Sequence, residues 1–475
     1  MVFTTDDPTD PFLQLLQPPH DETPSQATAR LKRETDAQRI SDEIDEEISK
    51  SKAIAKRDSA VVKVLLLGQA ESGKSTCLKN FRMRYDPQAW EKERNGWRTV
   101  VQFNIVRSII NILSVMEAEL GGETLGDDES SINESMKFTD LHQLLLIRLA
   151  PLRGVESNLK HWLGAGAEPL QTSLPMAATP FEAPVHNPSS ESAREFAVRC
   201  WHDVVDPDAR QPGQSGPDFE STTITLASCR DDMRTLWEDR KVQLALARRK
   251  LKLPDSAGFF LNELDRIATR EYVVTDDDIV RARLRTVGIQ EYKLRFKDVP
   301  LEAPTIDGAW EWRIYDVGGC RTTRHAWLPF FEQHLQAIIF LCPISCFDER
   351  LEEDRRVNRL EDSTVLWYSI CGSKLLAKTQ LICFMNKCDL LKSKLKKGVS
   401  ISQYLTSYGD RPNEVVDFVK YLREKFRVIL KERSPQPRAS YIYPTTVTDT
   451  KATAKTLESV RDGIFRENLI KAQLM

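Results

Sequence analysis

The 475-residue sequence has no apolar run long enough to cross a membrane and no zinc-like CxxC pair of cysteines. Its longest apolar runs, such as AIIFLC from Ala337, have the length of a strand, so we expect no transmembrane helix. The nine cysteines are scattered, and several lie inside apolar runs, which is typical of free thiols in a reducing compartment. We therefore expect a cytoplasmic protein.

The sequence also lacks an excess of charge of either sign. Lys and Arg number 67 and Asp and Glu number 70, so the formal net charge is -3 and nothing indicates nucleic acid as a partner. There is no Gly at position 2 and no early Cys, and the first residues are polar and acidic. We therefore expect neither N-terminal lipid attachment nor a signal peptide.

What the sequence does contain is a phosphate-loop pattern. The apolar run Val61 to Leu67 predicts a buried strand, and Gly68, Gly73, Lys74 and Ser75 follow it at the required spacing. Backbone N–H groups in such a loop point at phosphate oxygens, and the lysine places a cation near the outer phosphates. The serine hydroxyl is a hard oxygen ligand that suits Mg2+. The pattern therefore predicts a nucleoside-phosphate site with Mg2+.

The tetrapeptide NKCD, Asn386 to Asp389, closes the apolar run LICFM. A carboxylate at the edge of the base can accept hydrogen bonds from guanine N1–H and the 2-amino group. Adenine offers neither donor there, so Asp389 would be left buried and unpaired. The motif indicates GTP rather than ATP. It disfavours a phosphate-loop kinase or ATPase, for which the sequence also has no acceptor-substrate motif.

Three further stretches adjoin predicted strands. In DVGG, Asp316 could hold a water on Mg2+, and Gly319 would let a backbone N–H approach the γ-phosphate. In RARLRT, Thr286 could add a hydroxyl ligand, and an arginine could neutralise charge between the phosphates, although a solvated basic loop is the alternative interpretation. The loop TTVTDT, from Thr445, could close over the base.

The remaining pattern predicts an α/β domain that is interrupted by a helical unit. Six stretches each predict a strand, and helical stretches alternate with the later ones, which implies a mostly parallel six-stranded sheet with helices on both faces. The predicted strands begin near Val61, Thr286, Trp310, Gln336, Gln380 and Ala439. Between the strands that begin near Val61 and Thr286, the stretch from Gly96 to Leu120 predicts an amphipathic helix with core positions Val100, Phe103, Ile109, Ile112 and Met116.

Two segments lie outside the predicted α/β domain and its helical unit. Residues 1–25 are expected to be disordered, whereas residues 26–58 contain no Gly or Pro and carry a thin apolar stripe, Leu31, Ile40, Ile44 and Ile48. We interpret the latter as a partner-binding helix, with a solvated helix or disorder as the alternative. Residues 121–225 combine a helical middle with Pro- and Ser-rich stretches and predict a flexible insertion.

Taken together, the motifs resemble those of the heterotrimeric G-protein α subunits. The resemblance is carried by GQAESGKST, DIVRARLRTVGI, DVGGCRTTRHAW, FMNKCD and TTVTDT, in that order, and covers about residues 26–120 and 230–475. It implies a Ras-like P-loop GTPase domain at 59–88 and 279–475, with an inserted all-helical domain at 89–278 that covers the nucleotide. Helical domains of this length resemble those of fungal members.

The resemblance also implies a role for each motif residue. Arg283 would be the catalytic arginine, and Gly319 would sense the γ-phosphate. The metal residues would be Ser75, Thr286 and Asp316. The nucleotide-binding residues would be Glu71, Ser72, Gly73, Lys74, Ser75, Thr76, Arg281, Gly319, Asn386, Lys387, Asp389 and Val447.

Partners follow from the same resemblance. A βγ dimer would contact residues 26–58 and the stretch Arg321–Trp327. A seven-helix receptor would meet the C-terminal helix, which ends in KAQLM, and the effector is not indicated. The resemblance thus implies a GTP/GDP switch in G-protein-coupled receptor signalling, held by its partners at the cytoplasmic face of the plasma membrane.

The chain departs from the family's pattern near the γ-phosphate. Cys320 stands where the family has the Gln that orients the attacking water, and a thiol is a poor hydrogen-bonding group. Ala70 replaces a Gly, so its Cβ would crowd the transition state, and Gln69 replaces a small residue of the same loop. Thr323 stands where an acidic residue usually locks the GTP-bound switch.

Other departures concern partner binding and nucleotide affinity. His325 and Ala326 replace basic residues that help to hold βγ, and Val447 replaces an Ala under the base. We predict that nucleotide binding is retained and that GTP hydrolysis is slow. The alternative is a nearly non-hydrolysing, GTP-bound scaffold that acts independently of receptor and βγ.

Overall fold

The computed structural model describes residues 61–121, 138–163, 219–249, 251, 253, 258–284, 289–296, 310–332, 335–351 and 354–471, together with Thr35 and Arg39. Apart from Thr35 and Arg39, the predicted partner-binding helix lies outside these ranges, as do most of the predicted insertion, Thr286 and the end of KAQLM. All the helices and strands given below belong to one compact unit that begins at Val62.

A six-stranded sheet forms the centre of this unit, as the sequence predicts. The strand order is β2-β3-β1-β4-β5-β6, with β2 antiparallel to β3 and every other pair parallel. Strands β4 and β5 are buried at every position, which explains why they are continuous apolar runs without alternation. The strands are β1 (Val62–Leu67), β2 (Ile289–Phe296), β3 (Trp310–Val317), β4 (Ala337–Pro343), β5 (Gln380–Asn386) and β6 (Ser440–Pro444).

Helices cover both faces of the sheet. On one face of the sheet, strand side chains pack against helices that contribute Trp367 and Phe418. On the other face, they pack against helices that contribute Phe81 and Leu457. In chain order these helices are α1 (Lys74–Tyr85), α10 (Leu328–Glu332), α11 (Arg359–Gly372), α12 (Cys388–Lys396), α13 (Val415–Arg433) and α14 (Thr450–Lys471).

The chain between α1 and β2 forms a separate helical cluster with its own apolar core. The five core positions predicted for its long helix are all buried. The helices are α2 (Pro87–Leu120), α3 (Asp140–Arg148), α4 (Pro151–Leu163), α5 (Phe219–Ser228), α6 (Arg230–Glu238), α7 (Arg240–Arg248), α8 (Leu264–Ile267) and α9 (Asp276–Arg281).

Helix α2 begins at Pro87, nine residues before the predicted start at Gly96. Proline suits the first turn because its missing N–H would have no intrahelical partner, and Asp86 caps the helix by accepting a bond from Ala89 N at 3.4 Å. Both predicted domain boundaries fall inside a helix, since α2 spans 88/89 and α9 spans 278/279. Helices that continue across a boundary leave no change of composition to mark it.

Among the described helices, α2 is the one whose length and apolar composition would allow it to cross a membrane. Its most apolar stretch is 67% buried inside the protein, where it packs within the helical cluster. Burial of this kind accounts for the apolar composition of a core helix.

Candidate nucleotide site

The phosphate loop joins β1 to α1 and depends on two glycines. Gly68 and Gly73 have φ values of 143° and 103°, a backbone region that favours glycine. A Cβ on Gly73 would lie 2.4 Å from Asn386 Nδ2, and a Cβ on Gly68 would lie 2.4 Å from the backbone oxygen of Leu341. The loop is therefore packed against the carboxyl ends of two neighbouring strands, the position at which such sheets bind ligands.

Lys74 is buried, and its ammonium group lies over this loop. Its Nζ donates to the backbone oxygens of Gly68 at 2.9 Å and Gln69 at 2.7 Å. Burial lowers the pKa of Lys74 to about 8, against the opposing effect of the Asp316 carboxylate. An anion placed here would favour the charged amine, so the arrangement suits a phosphate group.

Ser75 and Asp316, two of the predicted metal residues, are brought together. The Ser75 hydroxyl donates to Asp316 Oδ2 at 2.6 Å. A serine that donates its proton in this way keeps its lone pairs for a cation, and the donor set contains only hard oxygens, which Mg2+ prefers. These residues fit Mg2+, whereas Thr286, the third predicted ligand, lies outside the described residues.

Gly319 lies against the phosphate loop so closely that no side chain would fit. A Cβ on it would stand 2.4 Å from both Lys74 Nζ and the carbonyl carbon of Gln69. Its backbone oxygen accepts a bond from Ala70 N at 3.1 Å. The residue predicted to sense the γ-phosphate is thus in direct contact with the loop predicted to bind it.

Arg283 reaches the same loop through an ion pair with Glu71. Burial opposes ionisation of this carboxyl, but the charges of Arg283 and Arg359 outweigh it and lower the pKa of Glu71 below its usual value. The backbone of Arg283 is held by Asn104, whose side chain accepts from Arg283 N and donates to Arg283 O, each at 2.7 Å. The helical cluster therefore positions this arginine.

Asn386 acts here as a bridge between loops. Its Nδ2 donates to Ser72 O at 2.8 Å, and its Oδ1 accepts from Val447 N at 3.1 Å. Asp389 is exposed at the start of α12, and Lys387 has a left-handed φ of 65° just before it. The Asp389 carboxylate is thus accessible, whereas the Asn386 side chain links the loop that contains Ser72 to the loop that contains Val447.

The remaining predicted residues lie around this centre. The Arg281 side chain pairs with Glu263 and Asp277 within the helical cluster. The Ser72 hydroxyl, within the phosphate loop itself, is buried and has no hydrogen-bond partner in the described ranges. Thr76 follows in α1, and its backbone oxygen accepts from Asn80 Nδ2 at 2.9 Å.

Cys320 is buried, and it precedes a 3-10 turn formed by Arg321–Trp327, which we name the switch segment. The Thr323 hydroxyl donates to Cys320 O at 3.0 Å, within the same turn. The segment is fixed at its far end by Trp327, whose Nε1 donates to Gly318 O at 2.9 Å. The side-chain group that position 320 supplies for orienting a water is a thiol.

Sequence reasoning did not identify Asn104 or Arg359. Arg359 donates to Ala70 O at 3.0 Å and pairs with Glu349 at 2.7 Å. Asn104 could have drawn notice as a polar residue among the apolar core positions of α2. The contacts that bring them to the site, Arg359 with Ala70 and Asn104 with Arg283, join positions far apart in sequence, so no local motif includes them.

Comparisons with known proteins agree with this geometry. A family model described as the G-protein alpha subunit matches residues 38–464. A guanine nucleotide-binding protein alpha-4 subunit of Mycosarcoma maydis is 30% identical over 98% of this chain and 95% of its own length. An alpha-2 subunit of Neurospora crassa is 30% identical over 90% and 94%, and an alpha-13 subunit of Mus musculus is 28% identical over 93% and 94%.

The match to the family covers almost the whole chain, and it includes the strands, the helical cluster and every described residue of the site. The chain therefore belongs to the family of G-protein alpha subunits.

Proposed function

We propose that this chain is a GTP/GDP switch of G-protein signalling that binds guanine nucleotide with Mg2+ and hydrolyses GTP slowly. One observation carries the proposal. Arg283, Lys74 and the Ser75–Asp316 pair converge on one phosphate loop, while a thiol occupies position 320 beside Gly319. Bound Mg2+ would neutralise charge on the phosphates.

The protein's own residues divide the remaining work. The phosphate loop and Lys74 bind the phosphate groups, and the exposed carboxylate of Asp389 is available to guanine. Arg283 must exchange its partner Glu71 for the phosphates in order to stabilise charge that develops during phosphoryl transfer. Cys320 offers no amide to orient the attacking water, which accounts for the slow step.

Single-turnover hydrolysis of GTP by wild type and by Cys320→Gln tests the proposal. Loss of one preorganised transition-state group costs roughly 2–4 kcal/mol, so we expect the Gln variant to hydrolyse GTP about 100-fold faster or more. Cys320→Ser is the matched control, because it keeps the size of the side chain and adds no amide. Chromatography of the released nucleotide should find guanine and not adenine nucleotides.

Three results would contradict parts or all of the proposal. Ordinary turnover by wild type would show that Cys320 is not a brake. If neither wild type nor Cys320→Gln hydrolyses GTP and GTP stays bound, the chain is instead the GTP-bound scaffold, an outcome favoured by the Cβ of Ala70 beside Gly319. Bound adenine nucleotide would exclude both functions.

We also propose the partners expected of the family. Residues 26–58 and the switch segment would contact a βγ dimer, the C-terminal helix would contact a receptor, and the site of action would be the cytoplasmic face of the plasma membrane. Binding of purified βγ dimer to the GDP-bound chain, compared with an Arg321→Glu variant, tests the first contact. Equal binding by both proteins would exclude the switch segment.

A further inference from the structure

The Gln69 side chain links the phosphate loop to helix α11. Gln69 is only 1% exposed, and its Nε2 donates to the backbone oxygen of Arg359 at 2.7 Å and to Oδ2 of Asp362. Both of these atoms are acceptors, so the amide has one orientation that satisfies them. The loop is thereby fastened through a side chain to a helix that begins 290 positions further along.

Asp362 also holds the switch segment. Arg324, which is 1% exposed, donates from Nη1 to Asp362 Oδ1 at 3.0 Å and from Nη2 to Oδ2 at 2.6 Å. Such a two-bond pair between a guanidinium and a carboxylate is strong and fixes geometry. Arg324 Nε also donates to Gly319 O at 3.4 Å, so the same arginine spans the switch segment and the glycine before it.

Two hydrogen bonds to backbone oxygens close the network. Ala70 N donates to Gly319 O at 3.1 Å, and Arg359 Nη2 donates to Ala70 O at 3.0 Å. The phosphate loop, the switch segment and α11 are therefore joined in a closed network made only of protein groups. Buried networks rigidify the elements they join to the extent that their members are paired, and here Gln69 Nε2 is paired whereas Gln69 Oε1 has no hydrogen-bond partner among the described residues.

We propose that Gln69 is a positioning residue that holds the switch segment against the phosphate loop when GDP is bound as well as when GTP is bound. The inference rests on the proposed function, because it concerns how that switch responds to its nucleotide. A γ-phosphate can dock such a segment only while it is present, whereas the bonds of Gln69, Asp362 and Arg324 do not include it. The Thr323 hydroxyl, bonded within its own turn, does not provide this link.

Hydrogen exchange of peptides that cover the switch segment tests the inference. Wild type and Gln69→Ala would each be measured with GDP and with a GTP analogue that resists hydrolysis. In wild type we expect the two nucleotides to give rates within about threefold of each other. In Gln69→Ala the GDP-bound protein should exchange about tenfold faster, and the analogue-bound protein should stay near wild type, because the γ-phosphate then supplies the docking.

Two further variants separate coupling from packing. Gln69→Leu keeps a side chain of similar volume without the donor and should repeat the effect of Gln69→Ala. Thr364→Ala is the matched control on α11, because its hydroxyl donates to Leu360 O within the same helix, and it should behave as wild type. An effect of Gln69→Ala that is equal with both nucleotides, or no effect with GDP, would overturn the inference.

The nucleotide content of the same samples separates this inference from the proposed function. If neither guanine nucleotide binds, the proposed function fails, and the comparison of nucleotide-free wild type with Gln69→Leu still tests the bond. Faster exchange of the switch segment in that variant would support the coupling, and equal exchange would overturn it. If nucleotides bind and wild type itself shows a large difference between them, the function stands and the inference fails.

Discussion

At the residue scale, Asn104 supplies both hydrogen bonds that hold the backbone of Arg283. The fit is close on the other side as well, since a Cβ on Gly258 would lie 2.6 Å from Asn104 Oδ1 and 3.0 Å from Arg283 Cβ. Gly258 also has a left-handed φ of 79°, which glycine adopts without strain. The orientation of the proposed catalytic arginine therefore depends on a side chain of the helical cluster.

Asn104→Ala should slow GTP hydrolysis without a comparable loss of GTP affinity. The variant leaves the Arg283 guanidinium intact but removes two bonds of roughly 1 kcal/mol each, so we expect a rate about tenfold lower. Single-turnover hydrolysis and nucleotide affinity, measured on the same preparation, check this. Ser108→Ala is the control, since its hydroxyl bonds only to Asn104 O, one turn away. An unchanged rate would show that Arg283 is positioned by other contacts.

The residues of the site divide by how local their partners are. Lys74 and Ser75 belong to a short motif whose spacing alone indicates phosphate binding, so the sequence predicts them. Gln69 lies in the same loop, but its partner Asp362 is 293 positions away, and Asn104 is 179 positions from Arg283. Neither periodicity nor motif spacing can indicate a hydrogen bond between residues so far apart in sequence, because it is the fold that brings them together.

At the element scale, helices α1 and α2 are joined by a buried ion pair. Arg82 and Glu93 make two hydrogen bonds, and each side chain is 4% exposed. The guanidinium also stands 4.9 Å from the centre of the Tyr292 ring on β2. The pair thus lies where the helical cluster meets the sheet, and each buried charge has an opposite charge beside it.

Arg82→Met should destabilise the fold more than removal of both charges does. The single variant removes the guanidinium beside the buried Glu93 carboxylate, and breaking a buried ion pair in this way typically costs about 3–5 kcal/mol of unfolding free energy. Arg82→Met combined with Glu93→Leu removes that charge and should recover most of the loss. Denaturant unfolding of the three proteins checks this. A double variant as unstable as the single one would show that the helices depend on the bonds of the pair rather than on its charge balance.

The elements themselves follow from the sequence more closely than their ends do. All six strands are predicted: β4 and β5 are continuous apolar runs because they are buried at every position, whereas the antiparallel strand β2 alternates between buried and exposed positions over its second half. The start of α2 is missed because Asp86 and Pro87 mark it with local chemistry, whereas the apolar spacing becomes regular only later. Elements set by burial are visible in composition, and boundaries set by single caps are not.

At the scale of the whole molecule, Lys79 joins the helical cluster to the sheet. It lies on α1, and its Nζ donates to the backbone oxygens of Ile279 at 2.9 Å and Ala282 at 2.7 Å, which lie just before Arg283. The amine also lies 4.1 Å from the centre of the Trp97 ring. One buried side chain of α1 therefore holds the point at which the chain returns from the helical cluster.

Burial lowers the pKa of Lys79 to about 7, although the charge of Asp316 opposes this shift. In the unfolded chain the amine keeps its usual pKa near 10.5, so between about pH 7 and pH 10 the unfolded state binds more protons than the folded state. Unfolding free energy must then rise with pH across this window. A neutral amine still donates hydrogen bonds to the two carbonyls, so the junction keeps its geometry as the charge is lost.

Lys79→Met should remove this pH dependence, because the thioether fills similar space and does not titrate. The difference in unfolding free energy, wild type minus variant, should increase with pH by up to about 1.4 kcal/mol per unit between pH 7.5 and pH 9.5. Denaturant unfolding at three pH values, with the same nucleotide added to both proteins, measures it. Taking the difference cancels the thiols, whose raised pKa values make the fold lose stability at high pH in both proteins. Parallel pH profiles would mean that the Lys79 amine remains charged in the fold and that the junction between cluster and sheet contains a cation.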